Sequence, residues 1–562
     1  MEARINLAVC LAVVVAPLAN SQNISGRNGV DRVLLISIDG MHAADYQNCA
    51  AGGFCPNLAS LGKTGITYTR TSTSRPSDSF PGLMALVTGG TPRTVGAFYD
   101  VAYDRVLAPP SLTTGNGVAG GTCTPNQPNG TTTEYEEGVD FNQSLLNGGG
   151  PYATTDGGVL SINPARLPRD PYNNCAPLYP WNFIRTNTIY GIIHAAGGYT
   201  AWSDKHAVYA AVSGPAPGDT TASNVSDYYA PDVNSGVIAL PGVTTATSAA
   251  CSPIRDTAQV GAWTDSFMNI QCYDQLKVNS ILNQIDGKWH DGSRPAPVPT
   301  LFGMNFQAVS VGQKLIEGGV KGGYMDAAGT PTANMKDEIM FVDAAIGQMV
   351  SELSKQDLLS KTLIIITAKH GQSPIDTNRF FGIPGTSGKN GSSPATLISK
   401  YLPDSESPDN PDGIGPTEDD ISLLWLSHST DTLTAVGILE TNATSAGIGQ
   451  IFYGGTLQTM YNAPGLPPSG DPRTPDIIVQ PNAGVVYTGS KKKQSEHGGF
   501  AQDDTNVMML VSKAGLTSRT VTSFVETTQV APTILQALGL DPNLLQVVQI
   551  EGTPVLPGLG FK

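Results

Sequence analysis

The first strong pattern in the chain is a short, almost uninterrupted apolar run. Residues 32–38 read RVLLISI, and Asp39 and Gly40 follow at once. An apolar run of this length that ends in a turn dipeptide is typical of a strand buried on both faces of a parallel sheet. Ligands of open α/β sheets bind where such strands end, so the pattern predicts a functional position at Asp39.

A second buried strand is predicted over residues 362–367, TLIIIT, and it leads to Lys369 and His370. Residues 335–355 before it have apolar side chains at three- to four-residue steps, which predicts a long amphipathic helix. Further strands are predicted over residues 421–427, 476–480 and 506–512, and a closing helix over 527–540. Strands that alternate with helices favour an α/β fold with a mainly parallel central sheet and helices on both faces.

Two other segments carry polar residues at the ends of predicted elements. Ser79 opens a predicted helix in the stretch RPSDSFPGLMALVTGG, and a helix N-terminus favours a negatively charged group such as a phosphate. Residues 188–206 predict a helix, a glycine stop and a strand, with Asp204 and His206 at the strand end. We take these last two residues as weaker site candidates, because only their position supports them.

Two long stretches lack this periodicity. Residues near 108–169 and 207–300 are largely rich in Gly, Asn, Thr and Pro. We interpret them as loop-rich cap insertions over the sheet, within a single catalytic domain that spans residues 22–562.

Composition limits the partners of this domain. The chain has 562 residues, a net charge of -15, and only 14% charged residues. An acidic protein is not expected to bind a nucleic-acid polymer or an anionic membrane. A small-molecule ligand in a locally cationic pocket remains compatible with this charge.

The beginning of the chain predicts export. Residues 1–21 include an apolar run over 7–18 and then small or polar residues, which is typical of a signal peptide. The run is too short to span a bilayer, and the C-terminus lacks the tail of a lipid-anchor signal, so we expect a secreted protein without a membrane anchor.

Cysteines and glycosylation sequons agree with an export route. Of the seven cysteines, Cys10 lies in the predicted signal peptide. The other six suggest three disulfides between sequence neighbours, although six cysteines allow fifteen pairings. The suggested pairs are Cys49–Cys55, Cys123–Cys175 and Cys251–Cys272. Sequons for a secreted glycoprotein begin at Asn23, Asn129, Asn142, Asn224, Asn390 and Asn442.

The order of these motifs resembles the alkaline-phosphatase superfamily, most closely its type I phosphodiesterase/nucleotide pyrophosphatase branch. The motifs are the strand that ends at Asp39, the SFP sequence that begins at Ser79, the strand that leads to His370, and the EHG sequence around His497. The resemblance implies that a serine or threonine between two zinc ions attacks a phosphoryl or sulfuryl centre. Metal coordination or a base must activate such an alcohol at neutral pH.

The resemblance assigns Ser79 as the nucleophile, Asp39 and His370 as ligands of the metal that activates it, and His497 as a ligand of a second metal. Two other family ligands are replaced. Lys369 stands where the family has an aspartate, and Asn305 stands where its D-x-x-x-H pair begins, with Val309 at the histidine position.

These replacements predict a degenerate metal site. We expect one divalent ion, zinc by resemblance, or none, unless Asp204, His206, Asp503 or Asp504 completes a ligand set. The Lys369 ammonium is a candidate catalytic group that occupies part of the metal's space, neutralises Asp39 and lowers the pKa of Ser79.

The resemblance implies a hydrolase of small phosphoric esters, namely phosphodiester or nucleotide pyrophosphate bonds. Two alternatives stay open at this point. One is a catalytically inactive binding protein of the same fold, and the other is an esterase or transferase that acts on a non-phosphate substrate, because fold does not fix substrate.

Overall fold

The computed structural model describes residues 24, 26, 28–150, 158–235, 262–384, 391–403, 417–461 and 471–561. The predicted signal peptide over residues 1–21 lies outside these residues, as do Cys251 and the sequons at Asn23 and Asn390. Among the described residues, no helix has the length and apolar character needed to cross a membrane.

Nine strands form the central sheet, and three form a smaller one. Numbered together in chain order, they are β1 (Arg32–Ile38), β2 (Gly65–Ser72), β3 (Ala201–Ser203), β4 (Asp227–Tyr229), β5 (Leu301–Phe306), β6 (Thr362–Thr367), β7 (Ser422–Leu424), β8 (Ile448–Tyr453), β9 (Ile477–Pro481), β10 (Asn506–Ser512), β11 (Arg519–Val521) and β12 (Val525–Glu526). The order in the central sheet is β11-β2-β10-β6-β1-β5-β3-β4, with β12 beside β2.

The central sheet is mainly parallel, as the sequence predicts. Strand β1 is parallel to β6 on one side and to β5 on the other, and β3 is parallel to β5 and β4. Only β10 runs against its two neighbours, β6 and β2. The predicted α/β fold class is therefore confirmed.

Two predicted strands lie elsewhere. The segments 421–427 and 476–480 contribute β7 and β9 to the separate antiparallel sheet β7-β9-β8, so they are not part of the central sheet. An apolar run predicts a buried strand but does not say which sheet buries it. Short strand pairs complete the described β-structure: Val101–Asp104 with Thr131–Glu134, Arg169–Asp170 with Ala176–Pro177, Ile316–Glu317 with Val320–Lys321, and Phe381–Gly382 with Val485–Val486.

Helices cover both faces of the central sheet, and those over Pro394–Tyr401 and Thr432–Thr441 pack instead against the three-stranded sheet. In chain order they are α1 (Ala43–Gly52), α2 (Pro56–Gly62), α3 (Ser79–Thr88), α4 (Pro92–Val95), α5 (Pro180–Phe183), α6 (Ile189–Ala195), α7 (Phe267–Ile285), α8 (Ala308–Lys314), α9 (Ala333–Lys355), α10 (Pro394–Tyr401), α11 (Thr432–Thr441), α12 (Gly455–Tyr461), α13 (Gln502–Thr505), α14 (Val530–Ala537) and α15 (Gln546–Glu551).

Strand β1 shows how the two faces are filled. Its side chains alternate between the two faces, because successive residues of a strand point to opposite sides. Val33 and Leu35 belong to the core that contains α3, α6 and α14, whereas Leu34 and Ile36 belong to the core that contains α1, α7 and α9. Burial on both faces explains why this strand is apolar at nearly every position.

The parallel strands bring their carboxyl ends to one edge of the sheet. Ser37 of β1 is paired with Thr367 of β6 and with Asn305 of β5, and Ser203 of β3 is paired with Met304 of β5. The residues that directly follow β1, β3 and β6 are therefore neighbours in space. This edge carries the candidate site.

Two of the suggested disulfides are confirmed, Cys49–Cys55 and Cys123–Cys175. Cys272 is also disulfide-bonded. The interpretation of residues 108–169 and 207–300 as a cap stays a prediction, although the second stretch contains the helix α7, whose residues pack in the core.

Candidate active site

Ser79 is the first residue of α3, and Asp78 caps that helix. The Asp78 carboxylate accepts a hydrogen bond from the backbone N–H of Phe80 at 3.0 Å, and the Asp78 carbonyl accepts one from Gly82 at 2.9 Å. Pro81 has no N–H to offer. The first-turn amides are thus already used within the chain, so the helix N-terminus contributes its dipole to this site rather than a set of free donors.

The Ser79 hydroxyl lies between a lysine and a histidine. Lys205 Nζ donates to Ser79 Oγ at 2.9 Å, and His370 Nε2 lies 3.1 Å from the same oxygen. His370 Nδ1 lies 2.8 Å from the carbonyl oxygen of Gly371, which assigns the ring proton to Nδ1 and leaves Nε2 as an acceptor. Ser79 can therefore donate its proton to His370 while it accepts a hydrogen bond from Lys205.

Asp39, directly after β1, is fully buried beside this group. Its Oδ2 accepts hydrogen bonds from Asn305 Nδ2 at 3.1 Å and Gln307 Nε2 at 2.7 Å. The same oxygen lies 3.5 Å from His370 Nε2 and 3.8 Å from Lys205 Nζ. Burial alone would raise the pKa of Asp39, but the charges of Lys369 and Lys205, together with the neighbouring His370 ring, outweigh it and hold the pKa well below its usual value. Asp39 is therefore a carboxylate at neutral pH.

Lys369 makes its closest contacts with Asp204 rather than Asp39. Its Nζ lies 2.8 and 3.0 Å from the two carboxylate oxygens of Asp204, and both side chains are fully buried. The Nζ also lies 4.5 Å from the centre of the Tyr209 ring. The charge of Lys369 lowers the pKa of Asp39, whereas the contact with Ser79 is made by Lys205. The catalytic role of Lys369 stays a prediction.

His497 packs against His370, with 4.1 Å between the ring centres. Its Nδ1 lies 3.7 Å from Asp78 Oδ1, which is beyond hydrogen-bond length. Burial, together with the positive charges of Lys314 and Lys205, lowers the pKa of His497 well below its usual value, so the ring is neutral. The side chains of His497 and Lys205 are each 12% exposed, and they form the solvent side of the site.

The other candidate ligands do not gather around Asp39. His206 Nε2 lies 3.1 Å from Glu137, and its Nδ1 lies 3.8 Å from Asp232. Asp503 accepts the backbone N–H of Ile375 at 2.9 Å. Asp504 faces another carboxylate, Asp420. Of the predicted set, the structure brings together Asp39, Ser79, His370, His497 and Asn305, with Lys369 and Asp204 as an ion pair beside them.

Carboxylates crowd the side of the site next to Asp78. Burial raises the pKa of Asp78 to about 7, and burial also raises the pKa of Asp419 to about 7. Tyr99 donates to Asp419 at 3.0 Å, and Asp100 donates its backbone N–H to Asp78 at 3.1 Å. Tyr99, Asp100 and Asp419 also line a cavity of about 270 Å³. This neighbourhood therefore takes up protons near neutral pH.

The residues do not fit the metal that the resemblance implies. An activating metal would have to contact Ser79 Oγ, yet Lys205 Nζ contacts that oxygen at 2.9 Å. Asn305 and Gln307 direct amide N–H groups at Asp39 Oδ2, where a metal ligand needs a free lone pair. Within the described residues, no group of three or more His, Cys, Asp or Glu side chains is arranged to hold a metal.

The site also depends on a close contact between Gly82 and the backbone of Lys369, which the sequence pattern does not predict. A Cβ atom on Gly82 would lie 2.2 Å from the carbonyl oxygen of Lys369. Glycine at this position therefore lets α3 approach the segment after β6, and this approach places Ser79 beside His370.

Sequence reasoning missed two residues of the site, Lys205 and Gln307. Lys205 directly follows Asp204 at the end of β3, and this strand-end position is the sequence signal that could have found it. Gln307 follows Asn305 by two residues in the turn after β5. An amide side chain carries no charge, and nothing in its sequence context distinguishes it from an ordinary turn residue.

Comparison with known families agrees with the fold and the motifs. Residues 33–175 and 298–395 match the sequence model of the family Type I phosphodiesterase / nucleotide pyrophosphatase. These segments contain Asp39, Ser79, Asn305, Lys369 and His370. No curated protein matches this chain in sequence.

Solved structures share the fold at low sequence identity. Murine ectonucleotide pyrophosphatase / phosphodiesterase 5 superposes with a TM-score of 0.51 at 13% identity, over 91% of this chain and 96% of that chain. An inactive variant of the same murine protein in complex with AMP gives a TM-score of 0.51 at 12% identity, over 91% and 96%. The alkaline phosphatase PafA gives 0.54 at 12% identity, also over 91% and 96%. The resemblance stated from the sequence motifs is therefore confirmed.

Proposed function

We propose that this chain is a phosphoric ester hydrolase in which Ser79 is the nucleophile and His370 the general base. Its alkaline-phosphatase-like fold and its match to the sequence model of the type I phosphodiesterase/nucleotide pyrophosphatase family support this activity. The contact that carries the proposal is the 3.1 Å between Ser79 Oγ and His370 Nε2. A nucleophile and its base need to be within hydrogen-bond reach of each other.

In the first step, Ser79 Oγ attacks phosphorus and passes its proton to His370 Nε2. The new bond is Oγ–P, and the bond that breaks joins phosphorus to the leaving oxygen, which takes a proton from solvent. Asp39 Oδ2 lies 3.5 Å from His370 Nε2, so its negative charge stabilises the imidazolium that forms.

In the second step, water restores the enzyme. The water oxygen forms a bond to phosphorus, the P–Oγ bond breaks, and one water proton returns to solvent. Ser79 Oγ takes its proton back from His370. The sum of the two steps is hydrolysis of one phosphoric ester bond by one water molecule.

We propose a small phosphoric diester or a nucleotide pyrophosphate as the substrate. The family match supports this class, and a structural neighbour is described in complex with AMP. The two described disulfides support a secreted enzyme, because such bonds persist in oxidising compartments.

The test uses hydrolysis of bis(p-nitrophenyl) phosphate together with labelling by a fluorophosphonate, which traps a nucleophilic serine. We expect wild type to hydrolyse the diester and to be labelled on Ser79. Ser79→Ala should lose both, with kcat reduced about 10³-fold or more, and His370→Ala should lose about 10²- to 10⁴-fold.

Ser74→Ala is the matched control. Its hydroxyl is buried in the same segment and donates to the Pro76 carbonyl at 3.4 Å, away from the Lys205 and His370 contacts. This variant should keep both activities. A wild-type protein that cleaves carboxylic esters but no phosphoric ester would replace the phosphoryl proposal with an acyl-transfer one. A protein that is inactive on both and unlabelled would favour the binding-protein alternative.

A further inference from the structure

We propose that the Lys205 ammonium takes the place of the activating metal, so that this hydrolase works without a divalent cation. The inference rests on the proposed role of Ser79 as the nucleophile. It assigns to Lys205 the task of stabilising the Ser79 alkoxide and the transferred phosphoryl group.

The placement of Lys205 fits this task. Its Nζ lies 2.9 Å from Ser79 Oγ and 3.8 Å from Asp39 Oδ2, so it is positioned between the two groups that a metal would bridge. Its backbone N–H donates to Asp204 Oδ1 at 2.9 Å, which fixes the residue at the end of β3. The contact with Ser79 engages one of the three ammonium hydrogens, and its partly exposed side chain can offer others to a phosphoryl oxygen.

Other positions near Asp39 also carry hydrogen-bond donors where a metal site would need ligands. The family's aspartate position carries Lys369, and the end of β5 and the residue after it supply the amides of Asn305 and Gln307. Each of these side chains presents N–H groups toward a carboxylate, Lys369 to Asp204 and the two amides to Asp39. Hydrogen-bond donors have thus replaced metal ligands at two positions, Lys369 and Asn305.

The buried charges also balance without a metal. Asp39 and Asp204 are two carboxylates, and Lys205 and Lys369 are two ammonium groups; three of the four side chains are fully buried, and Lys205 is 12% exposed. Among these four groups, a divalent ion would leave two uncompensated positive charges, and the further carboxyls near Lys205, Asp78 and Asp100, would have to be ionised to offset them. Uncompensated charge in a buried site is strongly unfavourable.

A cation beside the nucleophile favours the charged form of the serine and the anionic transition state. Removing such a stabilising group from an active site costs about 10²- to 10³-fold in kcat. We expect that loss in Lys205→Gln, which keeps a polar side chain but removes the charge. Lys205→Arg keeps the charge and should retain more activity than Lys205→Gln.

The first experiment measures metal content and activity of the secreted full-length protein. After dialysis against EDTA and 1,10-phenanthroline, wild type should contain substoichiometric zinc and keep its hydrolysis of bis(p-nitrophenyl) phosphate. Added zinc should not raise its melting temperature. Stoichiometric zinc that is lost together with activity on chelation would overturn the proposal, and so would wild-type kcat in Lys205→Gln.

A second experiment does not depend on activity. The double variant Lys205→Ala/Lys369→Asp removes the ammonium from Ser79 and restores the family's carboxylate beside His370. It should bind about one zinc per chain in equilibrium dialysis, because both amides donate to Oδ2 of Asp39, and its Oδ1, the introduced carboxylate and His370 form a ligand set that suits zinc. Zinc should raise its melting temperature.

The matched control is Lys205→Ala/Lys369→Asn, which removes the same two charges but supplies no carboxylate. It should bind no zinc. If wild type binds zinc as tightly as the Lys369→Asp double variant, Lys205 does not occupy the metal position. Zinc binding is measured without reference to activity, so this experiment tests whether Lys205 occupies the metal position even if Ser79→Ala shows that Ser79 is not the nucleophile. The two proposals can therefore be disproved independently.

Discussion

At the scale of single residues, the site is defined by what each side chain touches rather than by residue type. Lys369 and Lys205 are both lysines at strand ends, yet one forms a buried ion pair with Asp204 and the other contacts Ser79. The sequence identified Asp39, Ser79 and His370 because their motifs have a recognisable order. It could not distinguish the two lysines, because their roles depend on which carboxylate lies nearer in space.

Gly82 offers a test of how tightly this arrangement is packed. In Gly82→Ala, the added methyl group would lie 2.2 Å from the Lys369 carbonyl oxygen, so α3 and the segment after β6 must separate. Overpacking of this kind costs about 1–3 kcal/mol. We expect that loss in the free energy of unfolding, measured by denaturant titration, together with reduced kcat because Ser79 and His370 move apart.

Gly437→Ala is the control for the effect of replacing a helical glycine by alanine where no close contact results. Gly437 lies within α11, is exposed, and has no atom within 4 Å of an added Cβ. Alanine should be neutral there or stabilise the protein by up to about 1 kcal/mol, because it is the better helix former. Equal effects of the two substitutions would show that the close contact at Gly82 is not limiting.

At the scale of elements, the sequence predicted the site-bearing framework well. The β1 and β6 strands and the α9 helix are where their apolar patterns placed them, because burial on two faces or along one stripe leaves a clear periodicity. The predicted strands over 421–427 and 476–480 formed β7 and β9, but in a separate sheet. Pairing partners depend on long-range packing, which a local pattern does not contain.

Helix α7 holds the segment that joins β5 to α8, and this segment contributes to the site. Asp274 of α7 accepts the backbone N–H groups of Gln307 and Ala308, each at 2.8 Å. Lys277 donates to the Asn305 carbonyl at 2.5 Å and pairs with Asp274 at 2.9 Å. This buried pair therefore holds the turn that directs two amides at Asp39.

The Lys277→Met substitution tests how much the pair of Lys277 and Asp274 stabilises the protein. The substitution keeps the length of the side chain but leaves the Asp274 carboxylate buried without its cation, which costs about 3–5 kcal/mol. We expect a loss of that size in the free energy of unfolding at neutral pH. Lys355→Met is the matched control, since Lys355 pairs with Glu352 at the same three-residue spacing on a helix surface. It should leave the melting temperature unchanged, and an equally small effect of Lys277→Met would contradict the role of the buried pair.

At the scale of the whole molecule, the shared fold does not determine the chemistry of the site. The chain shares its architecture with phosphatases and phosphodiesterases at 12–13% identity over 91% of its length. A parallel sheet fixes where strand ends meet, whatever residues occupy them. The same edge can therefore hold a two-metal site in one protein and a lysine-based site in another, so fold alone does not determine function.

If the chain is exported as its sequence predicts, its glycosylation depends on which sequons are accessible at the molecular surface. Asn129 and Asn142 lie on exposed segments, whereas Asn224 is half-buried and its Nδ2 donates to the Ser213 carbonyl at 2.9 Å. A transferase needs access to the amide nitrogen, so the first two sequons should carry glycans and the third should not. Peptide mass spectrometry of protein secreted from a glycosylating host measures the occupancy of each site directly.

The matched variants are Asn129→Gln, Asn142→Gln and Asn224→Gln. Each of the first two should remove one glycan from the secreted protein, visible as one step of increased mobility in denaturing gels. Asn224→Gln should leave the mobility unchanged, although it loses the hydrogen bond to Ser213. Secreted protein without glycan at Asn129 and Asn142 would contradict their predicted accessibility, whereas protein that is retained in the cell and lacks disulfides would contradict export itself. The two outcomes distinguish a wrong prediction of sequon accessibility from a wrong prediction of export, because disulfide formation and glycan addition both require entry into the secretory route.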